Sequence, residues 1–504
     1  MDDRRVPARL VAAVIVIGTV LRVTIAATIG LGVDESYAVV VARTPSWSYF
    51  DHPGLSFWIP GLLARAAGSE NAVLLRAPFI LMFAATTWVV YRLGARLFGH
   101  WAGAYAALLL NIAPVFTVAF GGWVLPDGPL DLFVALAVLG LAHVFFAPGR
   151  NPTRWWLLAG VAAALAALSK YQAIFLSIGL ALFVVTYRDA RRALTGAGPP
   201  AALCVATLGV GPTLLWNATH GWASFAFQFG RGASPGGNGL TALLENVGGQ
   251  ALYVSPWLWV PLIVALAHGL RRGPADEARW LLCCMAAPPI LLFTLITLGG
   301  NRGLPHWSMV GYLMLFPLLG EAVARRLAQR DRVARRWLVG SVAAFGVVLA
   351  LAWSQAATGW MARVTPAAAR RGGPTRETLD WTEARPRLAA LGVGRPGGPF
   401  VAAVKWMDAG KVAYALGPHV PVVCLCGSPH QFGYLTDQRT LLGRDAVLVD
   451  QTPGASGVPR AYAPYFARID SLPAIVVRQG GRAALRIQTF LGRDYRSVFP
   501  GSQR

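Results

Sequence analysis

Long apolar runs constrain this chain more than any other feature. Stretches of about 15 to 25 apolar residues, the length that crosses the hydrocarbon core of a bilayer, recur between residues 10 and 354. Of the 504 residues, 55% are hydrophobic and 13% are charged, which is too apolar for a water-soluble protein of this size. The first run, residues 10–31, follows a basic head and lacks a clear cleavage site, so we interpret it as an anchor helix. The sequence predicts an α-helical protein that crosses the membrane many times.

Positive charge predicts the orientation of the spans. The net charge of +22 comes almost entirely from dispersed arginines, with lysine only at 170, 405 and 411, and this distribution does not favour a nucleic-acid partner. Cytoplasmic loops of membrane proteins collect basic residues. We therefore assign six basic clusters to the inner side: Arg4/Arg5/Arg9, Arg92/Arg96, Arg150/Arg154, Arg188/Arg191/Arg192, Arg271/Arg272 and residues 325–336.

Pairs of spans between these clusters, followed by one last span, predict about eleven transmembrane helices and an outer-face C-terminal tail. One alternative stays open at residues 155–187, which form either one long helix or two short helices. A single helix would reverse the predicted inside–outside orientation of every later segment. The alternating charge favours two helices that meet at Ser169, Lys170 and Tyr171.

The residue types change after the last apolar run. We predict a transmembrane domain over residues 1–362 and a small C-terminal α/β domain over residues 363–504, with strands in PFVAAVKW, VPVVCLC and DAVLVD. Cys424 and Cys426 would face the same side of the second strand. A disulfide between them would be strained there, so we predict buried thiols.

Two predicted outer segments suit a functional site. The first outer loop, residues 32–74, is long and contains amphipathic stretches at 35–43 and 55–67 that favour interfacial helices. The segment 217–239 combines aromatic residues with a glycine-rich end and is typical of a lid over a site. Both segments fall on the same predicted face of the membrane.

Acidic residues are scarce in the apolar region, so those at its outer edge are candidates for chemistry. Asp34 and Glu35 follow the first span, and Asp51 lies in the motif SYFDHPGLSFW. Asp127 occupies the tight loop VLPDGP. Asp131 is interpreted as a solvated first-turn residue that the helix dipole favours.

Cationic side chains are predicted on the same face. Lys170, followed by Tyr171, is the single lysine of the apolar region and is a candidate ligand for phosphate. Arg302 and His306, with Arg231 in the predicted lid, are further candidates for binding an anion. Asp51 and His52 could bind a divalent cation, bind an acceptor by hydrogen bonds, or hold their loop in shape. For Arg22 in the first span, snorkelling and pairing within the bundle both remain open.

Five motifs together resemble a known family. In chain order they are DESY at 34–37, YFDHPGL at 49–55, LPDGPLDLF at 125–133, SKYQA at 169–173 and LPHW at 304–307. They resemble motifs of bacterial membrane glycosyltransferases related to dolichyl-phosphate-mannose protein mannosyltransferases and to the lipid A aminoarabinose transferase, the glycosyltransferase family 39 type. The resemblance covers roughly residues 10–320, and the tail is similar to a periplasmic domain of such enzymes.

The resemblance implies a GT-C fold, with the active site in the first outer loop and a polyprenyl-phosphate-linked sugar as donor. It implies that Asp34 is the essential carboxylate, Glu35 its partner, Asp51 the acidic residue of the second motif, and Lys170 a ligand of the donor phosphate. Two departures, Gly54 in place of a second proline and LPHW in place of NWP, affect the expected choice of acceptor, which is a lipid A, a glycan or a protein. The expected location is the bacterial inner membrane, among membrane lipids, with the C-terminal domain in the periplasm.

The residues themselves favour the same reaction. A donor that carries phosphate brings its own leaving group, so the enzyme needs a base for the acceptor hydroxyl and cations for the departing phosphate. We therefore predict inverting transfer with Asp34 as the base and with no certain cofactor. A transporter or flippase for lipid-linked glycans is the alternative, although it favours internal repeats and charges near the midplane of the membrane. A non-catalytic assembly protein is a second alternative.

Overall fold

The computed structural model describes residues 4–146, 152–233, 237–301, 303–364, 375–452 and 457–500. The chain divides into two compact units whose segments alternate along the sequence. Unit 1 comprises residues 1–24, 47–56 and 76–348, and unit 2 comprises residues 25–46, 57–75 and 349–504. The domain boundary expected at residue 362 stays a prediction.

Apolar helices dominate the chain up to residue 364. In chain order these are α1 (Arg5–Thr28), α2 (Val33–Ala42), α3 (Leu55–Ala67), α4 (Ala72–Phe98), α5 (His100–Asn111), a π-helix (Val115–Phe120), α6 (Asp127–Phe146), α7 (Thr153–Ser169), α8 (Ile174–Thr186), α9 (Gly198–Thr219), α10 (Ala223–Ala233), α11 (Gly239–Val254), α12 (Pro256–Arg272), α13 (Glu277–Leu295), α14 (Met309–Leu313), α15 (Phe316–Ala328), α16 (Arg332–Thr358) and α17 (Met361–Val364).

The protein is a multi-pass membrane protein with the expected helical architecture. Within the described ranges, six helices are long and apolar enough to span a membrane, and the number rises to nine if each of three bent helix pairs counts as one span. The predicted number of eleven is not confirmed. Helix α7, with 17 residues, falls among the shorter apolar helices.

The chain breaks between α7 and α8 as the charge pattern predicts. Helix α7 ends at Ser169, Lys170 adopts an extended backbone with φ −158° and ψ 147°, and a 3-10 turn at Tyr171–Ala173 leads into α8. The Ser169 hydroxyl donates to the carbonyl of Leu165, one turn back. Two helices therefore replace the single long helix that residues 155–187 could have formed.

Arg22 pairs inside the bundle of unit 1, which resolves the open choice at this position. Its Nε donates to the carbonyl of Thr117 at 2.9 Å, and its Nη2 donates to Oδ1 of Asn111 at 3.0 Å. The guanidinium also lies 4.3 Å from the ring centroid of Phe83. These partners satisfy a charge that would be costly to bury alone.

A five-stranded sheet forms the centre of the C-terminal part of unit 2. Its strands are β1 (Phe400–Ala403), β2 (Val422–Cys424), β3 (Ala446–Asp450), β4 (Phe466–Gln479) and β5 (Arg482–Tyr495), and the helices around it are α18 (Ala384–Ala390), α19 (Trp406–Leu416), α20 (Phe432–Leu435) and α21 (Val458–Tyr462). The order across the sheet is β2-β1-β3-β5-β4. The first three strands are parallel and fully buried, as their apolar sequences predict.

Strands β4 and β5 form a long antiparallel hairpin that the sequence analysis did not predict. Gln479 pairs with Arg482 across a two-residue turn, Gly480-Gly481. Both glycines have positive φ, +55° and +78°. Tight hairpin turns of this hand require positive φ at both central residues, which glycine adopts without steric cost.

Cys424 and Cys426 form a disulfide, so the prediction of two buried thiols was wrong. The prediction assumed that both residues belong to one extended strand, but β2 ends at Cys424. Cys426 therefore lies beyond the strand. The Cα atoms are 5.5 Å apart, a separation typical of disulfides.

Helix α2 packs on α19 within unit 2. Gly410 of α19 lies so close to Tyr37 that an added Cβ would stand 3.1 Å from the Tyr37 backbone. The Tyr37 ring contacts Trp406 with ring centroids 5.1 Å apart, and its hydroxyl accepts the backbone N–H of Gln431 at 2.9 Å. The helix predicted in the first outer loop is therefore present, and so is the second at Leu55–Ala67.

Candidate functional site

Lys170 and Asp127 form a buried ion pair in unit 1. The Lys170 ammonium lies 2.7 Å from Oδ1 of Asp127. Lys170 is placed by the break after α7, and Asp127 by the start of α6, where a carboxylate is favourable next to the positive end of the helix dipole. Both residues are less than a tenth exposed. The structure thus brings together two candidates that are 43 residues apart in the sequence.

Asp131 also lies beside this pair, which corrects its interpretation as a solvated first-turn residue. Helix α6 begins at Asp127, so Asp131 occupies the second turn, on the same face as Asp127. Its side chain is buried, and its Oδ2 has no hydrogen-bond partner in the part of the chain that the structure describes. Asp131 interacts electrostatically with both Asp127 and Lys170. Two carboxylates therefore stand beside one ammonium.

Tyr171 connects this cluster to α10, the helix in the predicted lid segment. Its hydroxyl is 2.6 Å from the Ser224 hydroxyl and also interacts with the Asp51 carboxylate electrostatically. Farther along α10, the side-chain amide of Gln228 donates to the backbone carbonyl of Asp51 at 2.5 Å. The sequence analysis missed Ser224 and Gln228, because neither residue stands out by type or by a neighbouring motif.

The segment around Asp51 and His52 is a closed turn within unit 1. Ser48 and Pro53 form an isolated antiparallel bridge, and the Tyr49 N–H donates to the carbonyl of His52 at 3.3 Å. Asp51 is buried. Backbone contacts thus close this turn, and the three roles predicted for the side chains of Asp51 and His52 stay predictions.

His306 completes the cluster in unit 1. It lies in a 3-10 turn at Pro305–Ser308 and is electrostatically coupled to Lys170, Asp127 and Arg231. The Arg231 guanidinium lies 5.2 Å from the ring centroids of both Phe227 and Trp307. The remaining candidate, Arg302, lies outside the described residues.

Asp34 and Glu35 belong to unit 2, at the start of α2. Nine of the ten residues of this helix are buried, and Asp34 is the one that is exposed. Glu35 is fully buried, and its Oε2 accepts the N–H of Gly32 at 2.8 Å. Glu35 therefore holds the first turn of α2, while Asp34 points its carboxylate outward.

Lys411 of α19 also holds the start of α2, and the sequence analysis did not identify it. Its ammonium, 3% exposed, donates to the carbonyls of Leu31 at 2.7 Å, Leu379 at 2.6 Å and Glu377 at 3.4 Å. Leu31 lies two residues before α2. The only sequence signal is the rarity of lysine in this chain.

In the described ranges, no group of three or more His, Cys, Asp or Glu side chains is arranged to hold a metal ion. Asp51 and His52 could supply two ligands at most from their own turn. The divalent cation considered for this pair therefore stays a prediction, and so does the binding of phosphate by Lys170.

Comparisons with known proteins agree with this architecture. Residues 51–216 match the family model of dolichyl-phosphate-mannose-protein mannosyltransferase. No curated protein sequence matches the chain significantly. Among solved structures, ArnT from Cupriavidus metallidurans in the apo state has a TM-score of 0.64 at 15% identity, covering 96% of this chain and 97% of that one.

Two ligand-bound structures share the fold as well. ArnT from Cupriavidus metallidurans bound to undecaprenyl phosphate has a TM-score of 0.63 at 16% identity, with 95% of this chain and 97% of that chain covered. Archaeal oligosaccharyltransferase AglB from Archaeoglobus fulgidus, in complex with an inhibitory peptide and a dolichol-phosphate, has a TM-score of 0.50 at 10% identity over 87% of this chain and 69% of that chain. The chain therefore has the fold of the GT-C membrane glycosyltransferases. This confirms the predicted fold class.

Proposed function

We propose that this protein is an integral-membrane glycosyltransferase that moves a sugar from a polyprenyl-phosphate donor to an acceptor of the cell envelope, with inversion at the transferred carbon. The observation that carries the proposal is the buried Lys170–Asp127 pair at the break between two apolar helices, in a chain with the GT-C fold. A buried ion pair next to a second carboxylate is a poor structural device, because replacing it with apolar residues is often neutral or stabilising. Its presence therefore favours a function.

Lys170 is proposed to bind the donor phosphate. In the present arrangement its ammonium is held by Asp127, with Asp131 beside it. The donor phosphodiester carries one negative charge, which approaches two on the phosphate monoester that departs, and its oxygens can accept hydrogen bonds from the ammonium. Arg231 lies in the same electrostatic cluster and would add positive charge as the phosphate departs, and the ring of His306 beside it would offer a neutral hydrogen-bond donor. ArnT and AglB, which share the fold, have been captured with polyprenyl and dolichol phosphates, and this supports the assignment.

Asp34 is proposed to be the base that takes the proton of the acceptor hydroxyl. It is the single exposed residue of α2, and its neighbour Glu35 fixes the first turn through Gly32. The sugar–phosphate bond breaks as the acceptor oxygen bonds to the sugar, the electron pair leaves with the phosphate, and the proton passes to Asp34. No acid is needed, because phosphate leaves without protonation.

The proposed location is the inner membrane of a bacterium, with the C-terminal α/β part on the periplasmic side. The Cys424–Cys426 disulfide supports this side, because disulfides persist in oxidising compartments and are rare in the cytosol. The acceptor is proposed to be a lipid A, a glycan or a protein of the envelope. A flippase remains the second candidate function, and the same experiment separates the two.

The test uses the purified full chain, a radiolabelled polyprenyl-phosphate sugar and an extract of envelope acceptors. Wild type should transfer label, and Asp34→Asn should reduce the rate by about a hundredfold or more while still binding the donor, as expected for loss of a general base. Glu377→Gln, which removes another exposed carboxylate of unit 2, serves as the matched control and should transfer normally. Transfer by Asp34→Asn at the wild-type rate would disprove the base assignment. Label that crosses vesicle membranes without ever being transferred would favour the flippase.

A further inference from the structure

A pocket lies entirely within unit 2, and its lining shares no residue with the candidate site described above. Its volume is about 690 Å³, which falls within the usual range for small-molecule sites. The walls come from the end of α2, from α3, from the turn at residues 68–71, and from the α/β part around Arg385 and Tyr414. It is therefore built by the predicted outer loop and the C-terminal domain together.

Arg43 connects the segments that form the wall of this pocket. Its Nε and Nη2 donate to the two carboxylate oxygens of Glu70 at 2.9 and 2.8 Å. Its Nη1 donates to the carbonyls of Ala413 and Gly417 at 3.0 and 3.2 Å. The Tyr414 hydroxyl also donates to the Glu70 carbonyl at 2.8 Å. The turn at 68–71 is thereby fastened to the end of α19, so the pocket is preformed.

The charge of the lining favours an anion. Arg43 and Glu70 neutralise each other, and Glu70 is the only carboxylate among the described lining residues. Two further arginines, Arg65 and Arg385, are exposed. Each is oriented by one backbone contact, Arg65 Nη1 to the Ala42 carbonyl at 3.2 Å and Arg385 Nε to the Ala415 carbonyl at 2.8 Å. Their other N–H groups can bind a ligand, and a guanidinium suits phosphate or carboxylate.

Neutral hydrogen-bonding groups share the lining with these arginines. They are the side chains of Ser69, Asn71, Thr382 and Tyr414. Hydroxyl and amide groups beside guanidinium groups match a ligand that carries several hydroxyls and a negative charge, which describes a phosphorylated or carboxylated sugar.

Helix α2 runs from Asp34 to the pocket. Asp34 lies in the first turn of this helix, and Arg43 follows its last residue. Nine residues at a rise of 1.5 Å per residue place them about 14 Å apart along the helix axis. A ligand in the pocket is therefore too far from Asp34 to react there, but a longer molecule could reach both.

We propose that this pocket binds an anionic sugar of the acceptor, at a distance from the hydroxyl that receives the transferred sugar. The proposal rests on the proposed function, because it assigns the pocket to the acceptor of that reaction. The acceptor is then an envelope glycan or glycolipid with a phosphate or carboxylate group, rather than a neutral glycan or an unmodified protein.

A binding test does not depend on transfer. Equilibrium dialysis of the full chain in a neutral detergent, with labelled glucose 1-phosphate or galacturonic acid as the probe, should show saturable binding that weakens with salt. Neutral glucose should bind about tenfold more weakly or worse, since it offers no charge-assisted hydrogen bond. Equal binding of glucose would overturn the proposal.

The variants locate the site. Arg65→Gln with Arg385→Gln should weaken probe binding about tenfold or more, and Thr382→Glu, which adds a negative charge to the lining, should do the same. Arg387→Gln with Arg395→Gln removes the same charge from exposed positions outside the lining and should bind as wild type does. Unchanged elution and thermal unfolding of all variants would exclude misfolding as the cause.

Three outcomes would overturn the assignment of the pocket. One is wild-type binding by the Arg65/Arg385 double variant, and the second is equal weakening by the control pair. The third is binding only to vesicles that contain phosphatidylglycerol, which would assign the arginines to the lipid surface. Asp34→Asn should bind the probe normally while failing in transfer, so failure of this proposal and failure of the proposed function give different results.

Discussion

Lys170 in unit 1 and Lys411 in unit 2 are equally buried, at 3% exposure, but their ammonium groups have different partners. Lys170 faces the carboxylate of Asp127, with Asp131 beside it. Lys411 donates to three backbone carbonyls. Carbonyls of the main chain cannot leave without unfolding a segment, whereas a side-chain carboxylate can turn away and give up the ammonium to a phosphate ligand, whose negative charge grows as it departs. The comparison supports the proposal that Lys170 binds an exchangeable ligand and that Lys411 has a fixed structural role.

The largest expected effect comes from Lys170→Met. It leaves Asp127 buried beside Asp131 without its cation, which should cost about 3–5 kcal/mol of the free energy of unfolding and abolish transfer. The double variant Lys170→Met with Asp127→Asn should recover most of the stability, measured by thermal unfolding, and still fail in transfer. If the double variant transfers sugar, Lys170 is a structural residue like Lys411, and the proposed difference between the two lysines is wrong.

Lys411→Met should have the next largest effect. It removes the hydrogen-bond donor of the carbonyls of Leu31, Leu379 and Glu377. Because buried carbonyls without a partner are destabilising, the free energy of unfolding should fall by about 3 kcal/mol. Because Leu31 precedes α2, the maximal rate of transfer should fall more than the apparent acceptor affinity. Lys405→Met is the matched control, since that half-buried lysine donates to Thr452 Oγ1 and should lose less than about 1 kcal/mol. Equal losses of unfolding free energy in the two variants would show that Lys411 has no special structural role.

Asp408 extends the comparison to buried carboxylates, because within the described residues no lysine forms an ion pair with it as Lys170 does with Asp127, and Lys405 interacts with it only electrostatically. Its Oδ2 accepts the Gln451 N–H, and burial raises its pKa from 3.8 to about 6. The folded state binds the proton more tightly, so this group stabilises the fold below about pH 4 and the contribution is lost as the pH rises through 6. Between these two pH values the contribution of Asp408 to the free energy of unfolding should fall by about 2–3 kcal/mol.

Thermal unfolding between pH 4 and 7 measures this slope. Asp408→Asn should flatten it, because the amide does not titrate, and should leave the protein more stable than wild type at pH 7. An unchanged slope in the variant would show that other groups carry the pH dependence.

Glu35→Gln should give the smallest effect. The amide oxygen can still accept the Gly32 N–H, but more weakly than the carboxylate, so the loss should be about 1 kcal/mol by thermal unfolding. Transfer should persist at a reduced rate, in contrast to Asp34→Asn. Complete loss of transfer with intact stability would instead assign chemistry to Glu35, and its role would then resemble that of Lys170 more than that of Lys411.

Local signals in the sequence predicted much of this structure. The apolar runs predict the spanning helices, the lysine between two short runs predicts the break at residue 170, and three short apolar segments predict β1, β2 and β3. The hairpin β4–β5 was missed because its strands are half-exposed and interrupted by charge and by Pro473. The number of spans could not be fixed, since bent helix pairs and a 17-residue helix do not follow a simple rule of length.

The candidate site was predicted by residue type and not by contact. Lys170 and Asp127 were each identified, but their pairing joins positions that only the helix packing brings together. Asp131 was misinterpreted because the start of α6 lies four residues earlier than assumed. Lys411 and Arg43 bind backbone carbonyls, and such contacts leave no pattern in the side chains of their partners. For the same reason the pocket in unit 2 has no sequence signal of its own.

The alternation of the two units along the chain has a consequence for biosynthesis. The contact between Lys411 and Leu31 joins residues 380 positions apart. At a synthesis rate of roughly 5–20 residues per second, the loop that carries Asp34 must wait about 20–80 s for the helix that fixes it. During that time α2 and α3 can contact each other, but the start of α2 lacks the lysine that holds it. A ribosome that stops early would thus release a protein that is inserted in the membrane but has an unassembled first loop, so activity would begin only when the last domain is complete.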